Sequence, residues 1–133
     1  MKDGFDVPED IISLINVPEV NTLLSGGIYA GSRPNGSTSI DIVVNCMGIT
    51  PRQEQQGTAN VNIYVPNLPS GRPDAIRFRT IFRTIRPLLD AQYTRTFRLH
   101  LDGGGTFIQD RDGNWLYNVP LKYYSVQINY QNL

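Results

Sequence analysis

Cysteine and histidine, the side chains on which much enzyme chemistry rests, are almost missing from this 133-residue chain: it has one of each, Cys46 and His100. A single cysteine excludes an internal disulfide and a cysteine metal cluster, and one histidine leaves no imidazole cluster, so no metal centre is expected. No apolar run approaches the roughly 20 residues that span a bilayer. The opening MKDGFDVPED is acidic where a secretory signal has an apolar core, so no membrane association is expected. Net charge is missing too. Twelve Lys and Arg balance twelve Asp and Glu, which leaves no bulk field to draw the protein to nucleic acid or an anionic bilayer. Charged residues are only 18%, while hydrophobic residues reach 40%, a balance that excludes a disordered chain. The length suits one domain over residues 1–133 that buries about two thirds of its unfolded surface without covalent staples.

No internal repeat or low-complexity tract divides the chain. Val7 to Leu24 reads as helix in two pieces. Pro8 suits a first turn, Glu9 and Asp10 favour the positive end of the dipole, and Ile11, Ile12, Leu14 and Ile15 form the apolar stripe. Pro18 ends that helix and starts a short second one, which Gly26-Gly27 is expected to stop through a left-handed C-cap. Ile28 to Ser32 is a short strand. Ile40 to Ile49 (IDIVVNCMGI) is nearly continuously apolar and reads as a central strand covered on both faces. Thr50 to Thr58 is expected to be a loop. Asn60 to Pro66 (NVNIYVP) alternates, which places Val61, Ile63 and Val65 in the core opposite Asn60, Asn62 and Tyr64. Asp74 to about Tyr93 is the main helix, its apolar face carrying Phe78, Ile81, Phe82, Ile85, Leu88 and Leu89. Pro87 predicts a kink or an end near Arg86. Strands over Thr96–Leu101, Thr106–Gln109 and Lys122–Tyr130 follow, with Asp110 to Asn114 as a hairpin turn that needs positive φ at Gly113. The fold class is α+β: a mainly antiparallel sheet with a long helix and short N-terminal helices packed on one face.

The chemical constellations are thin. Asp110, Asp112 and Asn114 alternate as calcium ligands do, but no carboxylate follows them, and turn chemistry explains them as well. Gly103-Gly104-Gly105 precedes no helical pattern, so a phosphate cradle lacks its helix terminus. Cys46 and His100 form a conceivable nucleophile pair with no third orienting residue. A small buried thiol is the commoner fate. Asp41 and Glu54 sit in segments of different type and do not argue as an acid–base pair. No catalytic residue, metal site or cofactor is expected, and the chain does not read as an enzyme.

Arginine is the informative excess. Ten of the twelve basic residues are Arg, and Arg79, Arg83 and Arg86 recur at i, i+4, i+7, one stripe beside the apolar face. Arg72 to Arg98 holds seven Arg against Asp74 and Asp90, whereas Met1 to Glu19 holds five acids against Lys2. Three readings stand: two solvated faces, nucleic-acid binding through the stripe, or charge complementarity between neighbouring subunits, for which Arg is favoured. In the last, Arg79, Arg83 and Arg86 of one subunit meet Glu9 and Asp10 of the next. Tyr117, Tyr123, Tyr124 and Tyr130, with Gln127, Asn129, Gln131 and Asn132 between and after them, suggest a further protein-facing surface.

The order of elements adds a resemblance. A leading helix runs into SGGIYAGSRP. The strand DIVVNCMGI follows, then a polar segment holding Gln55-Gln56-Gly57, then NVNIYVP, a long helix, and paired strands ending in a Tyr- and Asn-rich stretch. Over nearly the whole chain this resembles the tail terminator, or tail-completion, proteins of long-tailed bacteriophages and the related small head–tail connector proteins. Pro87 inside the long helix departs from that pattern. The resemblance implies a small α+β structural protein without catalytic residues or cofactors. Six copies would form a ring at the neck or at the top of the tail tube, end tube growth and join tail to head. Its partners would be itself, the tail tube protein and head–neck connector proteins, with DNA only passing through the lumen. Its place would be the virion, after assembly in the host cytoplasm. The alternative is a small stand-alone binding module of unknown ligand.

Overall fold

A turn at the extreme N-terminus sets the first helix. In the computed structural model, which describes residues 1–51 and 54–126, the Asp3 carboxylate accepts the N–H of Asp6 at 3.0 Å and of Phe5 at 2.9 Å. Asp6 returns the bond by accepting the Asp3 N–H at 2.9 Å. This reciprocal cap satisfies donors that a helix start leaves open. The same N–H groups, Asp6 first, hold the Asp3 carboxyl below the usual carboxylate range. Helix α1 (Asp6–Ile15) buries Val7, Pro8, Ile11 and Ile15. Val17 is extended, as a residue before proline must be, and Pro18 opens α2 (Pro18–Asn21).

Strands β1 (Ile28–Ala30), β2 (Asp41–Ile49), β3 (Glu54–Tyr64), β4 (Gln92–Tyr93), β5 (Phe97–Leu101), β6 (Thr106–Gln109) and β7 (Trp115–Val126) form one sheet. Its order is β1-β2-β3-β7-β5-β4, with β6 also paired to β7. Only β1–β2 is parallel. Helix α3 (Ala75–Leu89) packs beside α1 on one face of the sheet: α1 lies over β1, β2 and β3, and α3 over β3 and β5. This is the α+β architecture expected from the sequence. The core lies between sheet and helices. Val61, Ile63 and Val65 are buried in it with Phe78, Ile81, Ile85 and Leu89. Phe82 and Leu88, also assigned to the apolar face, are only partly buried.

Four expectations about the segments before β5 are corrected. First, the loop expected over Thr50–Thr58 is strand from Glu54 onward. Each β3 residue from Glu54 to Tyr64 is in register with β7, so the backbone groups of this polar segment are paired. Gln55 is fully buried. Its Nε2 donates to the carbonyls of Lys2 at 2.8 Å and Thr50 at 3.0 Å, and its Oε1 accepts the Lys2 N–H. Second, β2 lies inside the sheet between β1 and β3 as expected, but its two-sided coverage is shorter than the apolar run implied. It is covered on both faces only over Asp41–Val44. Beyond the bulge between Cys46 and Gly48 it emerges from the core, and Met47 is 66% exposed.

Third, α3 ends at Leu89, runs through Pro87 without stopping at Arg86, and gives way to β4 where helix was expected. Pro87 lies in the last turn, where the loss of one N–H donor breaks only one helical bond. Ala91, in the left-handed region at φ 52°, reverses the chain into β4. Fourth, Gly26-Gly27 does not act as a left-handed cap, because neither glycine has positive φ. Gly26 is required by a close approach instead. A Cβ there would meet the Asp41 carboxylate.

The last strand begins earlier than expected, at Trp115, and accommodates Pro120 in its middle. The Pro120 carbonyl accepts the Asp102 N–H at 2.9 Å, so its imide nitrogen points to the same side, where β7 passes from its β6 partner to its β5 partner. No ladder donor is needed in that gap. The expected end at Tyr130, and with it the Asn/Gln-rich surface of Gln127, Asn129, Gln131 and Asn132, lies outside the described residues. Gly113 has φ 82° in the hairpin turn, as its position required.

Candidate functional site

The arginine stripe borders a groove. Arg79, Arg83 and Arg86 are exposed on α3, and among the described residues none pairs with a carboxylate. They rim a hollow of about 330 Å³ floored by aromatic rings: Phe78 and Phe82 of α3, Phe107 of β6 and Tyr117 of β7. The pairing of β6 with β7 sets Phe107 beside Tyr117, with ring centroids 5.0 Å apart. Phe107 meets the Phe78 ring edge-on at 5.2 Å, and Phe82 meets Tyr117 in the same way at 5.2 Å. Gly105 lets the floor close, since a Cβ there would collide with the Tyr117 ring. The triple glycine therefore serves a bend and a close packing contact. The strand β6 follows it, not the helix that a phosphate cradle needs.

The acids expected to face such a stripe divide. Glu9 is exposed on α1 and has no ion pair among the described residues. Asp10 is engaged within its own chain. Its Oδ2 lies 3.0 Å from Lys2 Nζ and accepts the Tyr123 hydroxyl at 2.5 Å. Tyr123 is fully buried, stacked on Phe97 at 5.4 Å between centroids, so it is a core residue and not the protein-facing tyrosine expected. Tyr117 likewise faces the helix side. Tyr124 lies on the open face of the sheet, stacked with His100.

Burial first, then the hydrogen bond to Asp10 and the carboxylate's charge, push the Tyr123 phenol far above its ordinary value of 10.0. In the unfolded chain the phenol ionises near pH 10, and in the folded chain it stays neutral. Its contribution is therefore complete below about pH 10 and declines as pH rises beyond it. Urea unfolding of wild type is expected to show stability falling above pH 10, with a shallower fall in Tyr123→Phe. Equal slopes would mean that this phenol is not the group responsible.

Glu9 has a neighbour that the sequence did not single out. Phe5 is 82% exposed at the start of α1. Phe5, Pro8 and Glu9 border a shallow cleft closed by Ala30 at the end of β1, by Gly31 just after it and by Val44 to Cys46 of β2. This is the β1 edge of the sheet. The arginine groove opens by β6, at the other side of the strand order. Four strand positions separate β1 from β6, about 20 Å at 4.8 Å per strand. The two patches of one chain therefore lie on opposite flanks of the sheet.

The remaining constellations do not assemble. Cys46 aligns through Ala59 and Leu121 with Leu101, on the helix side, whereas His100 lies three strands away on the open side. Asp41 is paired with Tyr64, at the opposite end of the β2–β3 hairpin from Glu54. The Asp110 carboxylate accepts the N–H groups of Asp112 and Asn114, each at 2.9 Å, which is turn geometry. Among the described residues no group of three or more His, Cys, Asp or Glu has the arrangement of a metal site, and no helix is long and apolar enough to cross a membrane. No protein-family model matches the chain, and no curated protein matches it by sequence.

Proposed function

We propose that this protein is a structural, non-enzymatic component of a bacteriophage virion, a ring of identical subunits at the neck or the top of the tail tube that ends tube growth and joins tail to head. The observation that carries the reading is the placement of two complementary patches on opposite flanks. An exposed Arg79–Arg83–Arg86 rim, without a carboxylate partner among the described residues, lies at the β6 side, and an exposed Glu9 at the β1 side. A ring needs two different patches per subunit, because a heterologous contact repeats by rotation until it closes. A chain that is neutral overall yet polarised along its length supplies both without a net charge that would drive copies apart. Single exposed ion pairs contribute only about 0–1 kcal/mol, so charge would chiefly set register and reject wrong orientations. The order of elements that resembles tail terminators supports the same reading and makes a hexamer the expected ring.

Native mass spectrometry of the purified protein and proteomic analysis of intact particles test it together. A closed oligomer that is also a stoichiometric virion component is the expected result. A monomer that retains a small ligand and is missing from particles would instead establish the stand-alone binding module.

A further inference from the structure

The groove and the exposed N-terminal turn have matching chemistry, and we infer that the Phe5–Glu9 turn of one copy docks into the Phe82–Phe107–Tyr117 groove of a second copy, with Glu9 meeting the arginine rim. The inference rests on the head-to-tail reading above and names the surfaces that interlock. Four observations favour a second copy as the occupant. Phe5 leaves 82% of its surface in water on a turn already fixed by the Asp3–Asp6 cap, so little ordering remains to be done on binding. The groove offers about 330 Å³ above a floor of aromatic edges, room for a phenyl ring, and its Phe107 is itself 38% exposed. Three guanidinium groups, unpaired among the described residues, rim it, able to lie over a phenyl face or to clamp a carboxylate. Asp3 and Glu9, both exposed, flank Phe5 and supply the opposite charge. Because the two patches lie about 20 Å apart on opposite flanks of the sheet and the Phe5 turn is fixed by the Asp3–Asp6 cap, a chain cannot fill its own groove. The contact is necessarily between copies, each donating one turn and one groove. Asp10, expected from the sequence to join this interface, is excluded from it by its bonds to Lys2 and Tyr123.

Two variants break opposite halves of the contact: Phe5→Ser with Glu9→Gln, and Arg79→Glu with Arg83→Glu. All four side chains are exposed, so thermal unfolding monitored by circular dichroism should match wild type. In sedimentation velocity, wild type is expected to self-associate and each variant to associate at least tenfold more weakly. An equimolar mixture of the two variants should form one-to-one dimers and nothing larger, since only one intact turn and one intact groove remain to meet. Variants that associate as tightly as wild type overturn the docking and leave the ring reading standing. A mixture that stays monomeric, or grows past the dimer, also overturns it. Wild type that stays monomeric at every concentration overturns both readings. The same holds if that monomer instead binds single-stranded DNA and loses it on Arg79→Glu with Arg83→Glu.

Discussion

Ile63→Ala should cost about 2–5 kcal/mol in urea unfolding, the range for deleting a large aliphatic side chain from a core that cannot collapse around the gap. Ile63 has no solvent exposure. In the sheet it stands between Ile42 of β2 and Tyr117 of β7, both on the helix side, and α3 packs across β3 above it. Neighbours fixed in a ladder on two sides and by a helix on the third leave little freedom to close the void. Thr58→Ala on the exposed side of the same strand is the control and should stay within about 0.5 kcal/mol. A loss below about 1 kcal/mol at Ile63 would mean that the register of β3 differs from the one described. Tyr117 also floors the arginine groove, so a void at Ile63 should loosen that groove as well. A weaker self-association in Ile63→Ala would report that coupling.

The sequence is legible where one face of an element decides it. Val61, Ile63 and Val65 alternate because β3 is half-buried there, and Phe78, Ile81, Ile85 and Leu89 repeat at the helical period because α3 lies on the sheet. Both patterns were expected and these residues are buried, while Phe82 and Leu88, expected with them, are only partly so. It is illegible where long-range pairing overrides local chemistry. Nothing in TPRQEQQGT distinguishes a polar loop from a polar strand. Glu54 to Gly57 become strand because β7, more than sixty residues later, supplies partners for them. The tyrosines show the same limit. Tyr123 and Tyr124 are adjacent and of one kind, yet alternation sends one into the core and the other to the open face, and the acid that binds Tyr123 is Asp10, 113 residues away.

The arginine stripe was visible from its spacing. The aromatic floor was not, since Phe107 and Tyr117 reach Phe82 only through the β6–β7 hairpin. The opposite patch was half visible: the acid excess pointed to Glu9, while its apolar part, Phe5, a large apolar residue among acids just ahead of the first apolar helix stripe, went unread.

Asp41→Ala is the second change expected to be severe, about 3–5 kcal/mol, the cost of breaking a buried ion pair by removing one member. Asp41 is fully buried, unusual for a carboxylate, and both its oxygens are used. Oδ1 accepts the Gly27 N–H at 3.0 Å, and Oδ2 accepts the Ser37 hydroxyl at 2.6 Å and faces Arg33 Nη1 at 3.5 Å. The Arg33 guanidinium lies 4.0 Å over the Tyr64 ring, and Tyr64 is the cross-strand partner of Asp41. One side chain thus fastens the segments on both sides of β1 to the start of β2. Its removal strands the Gly27 N–H and leaves the mostly buried guanidinium without a counter-ion. The 3.5 Å Arg33 contact is longer than an ordinary charge-assisted bond, whereas the Ser37 and Gly27 bonds are of full strength. Arg33→Ala, which leaves the carboxylate two good donors, should therefore cost less than Asp41→Ala. Gly26→Ala tests the same knot from the other side. An added methyl must displace the carboxylate, so a loss of about 1–3 kcal/mol is expected. If chemical denaturation ranked Arg33→Ala above Asp41→Ala, the ion pair would be the main tie here and the hydrogen bonds to Gly27 and Ser37 secondary. If both changes fell below about 1 kcal/mol, the β1–β2 connection would not depend on this carboxylate.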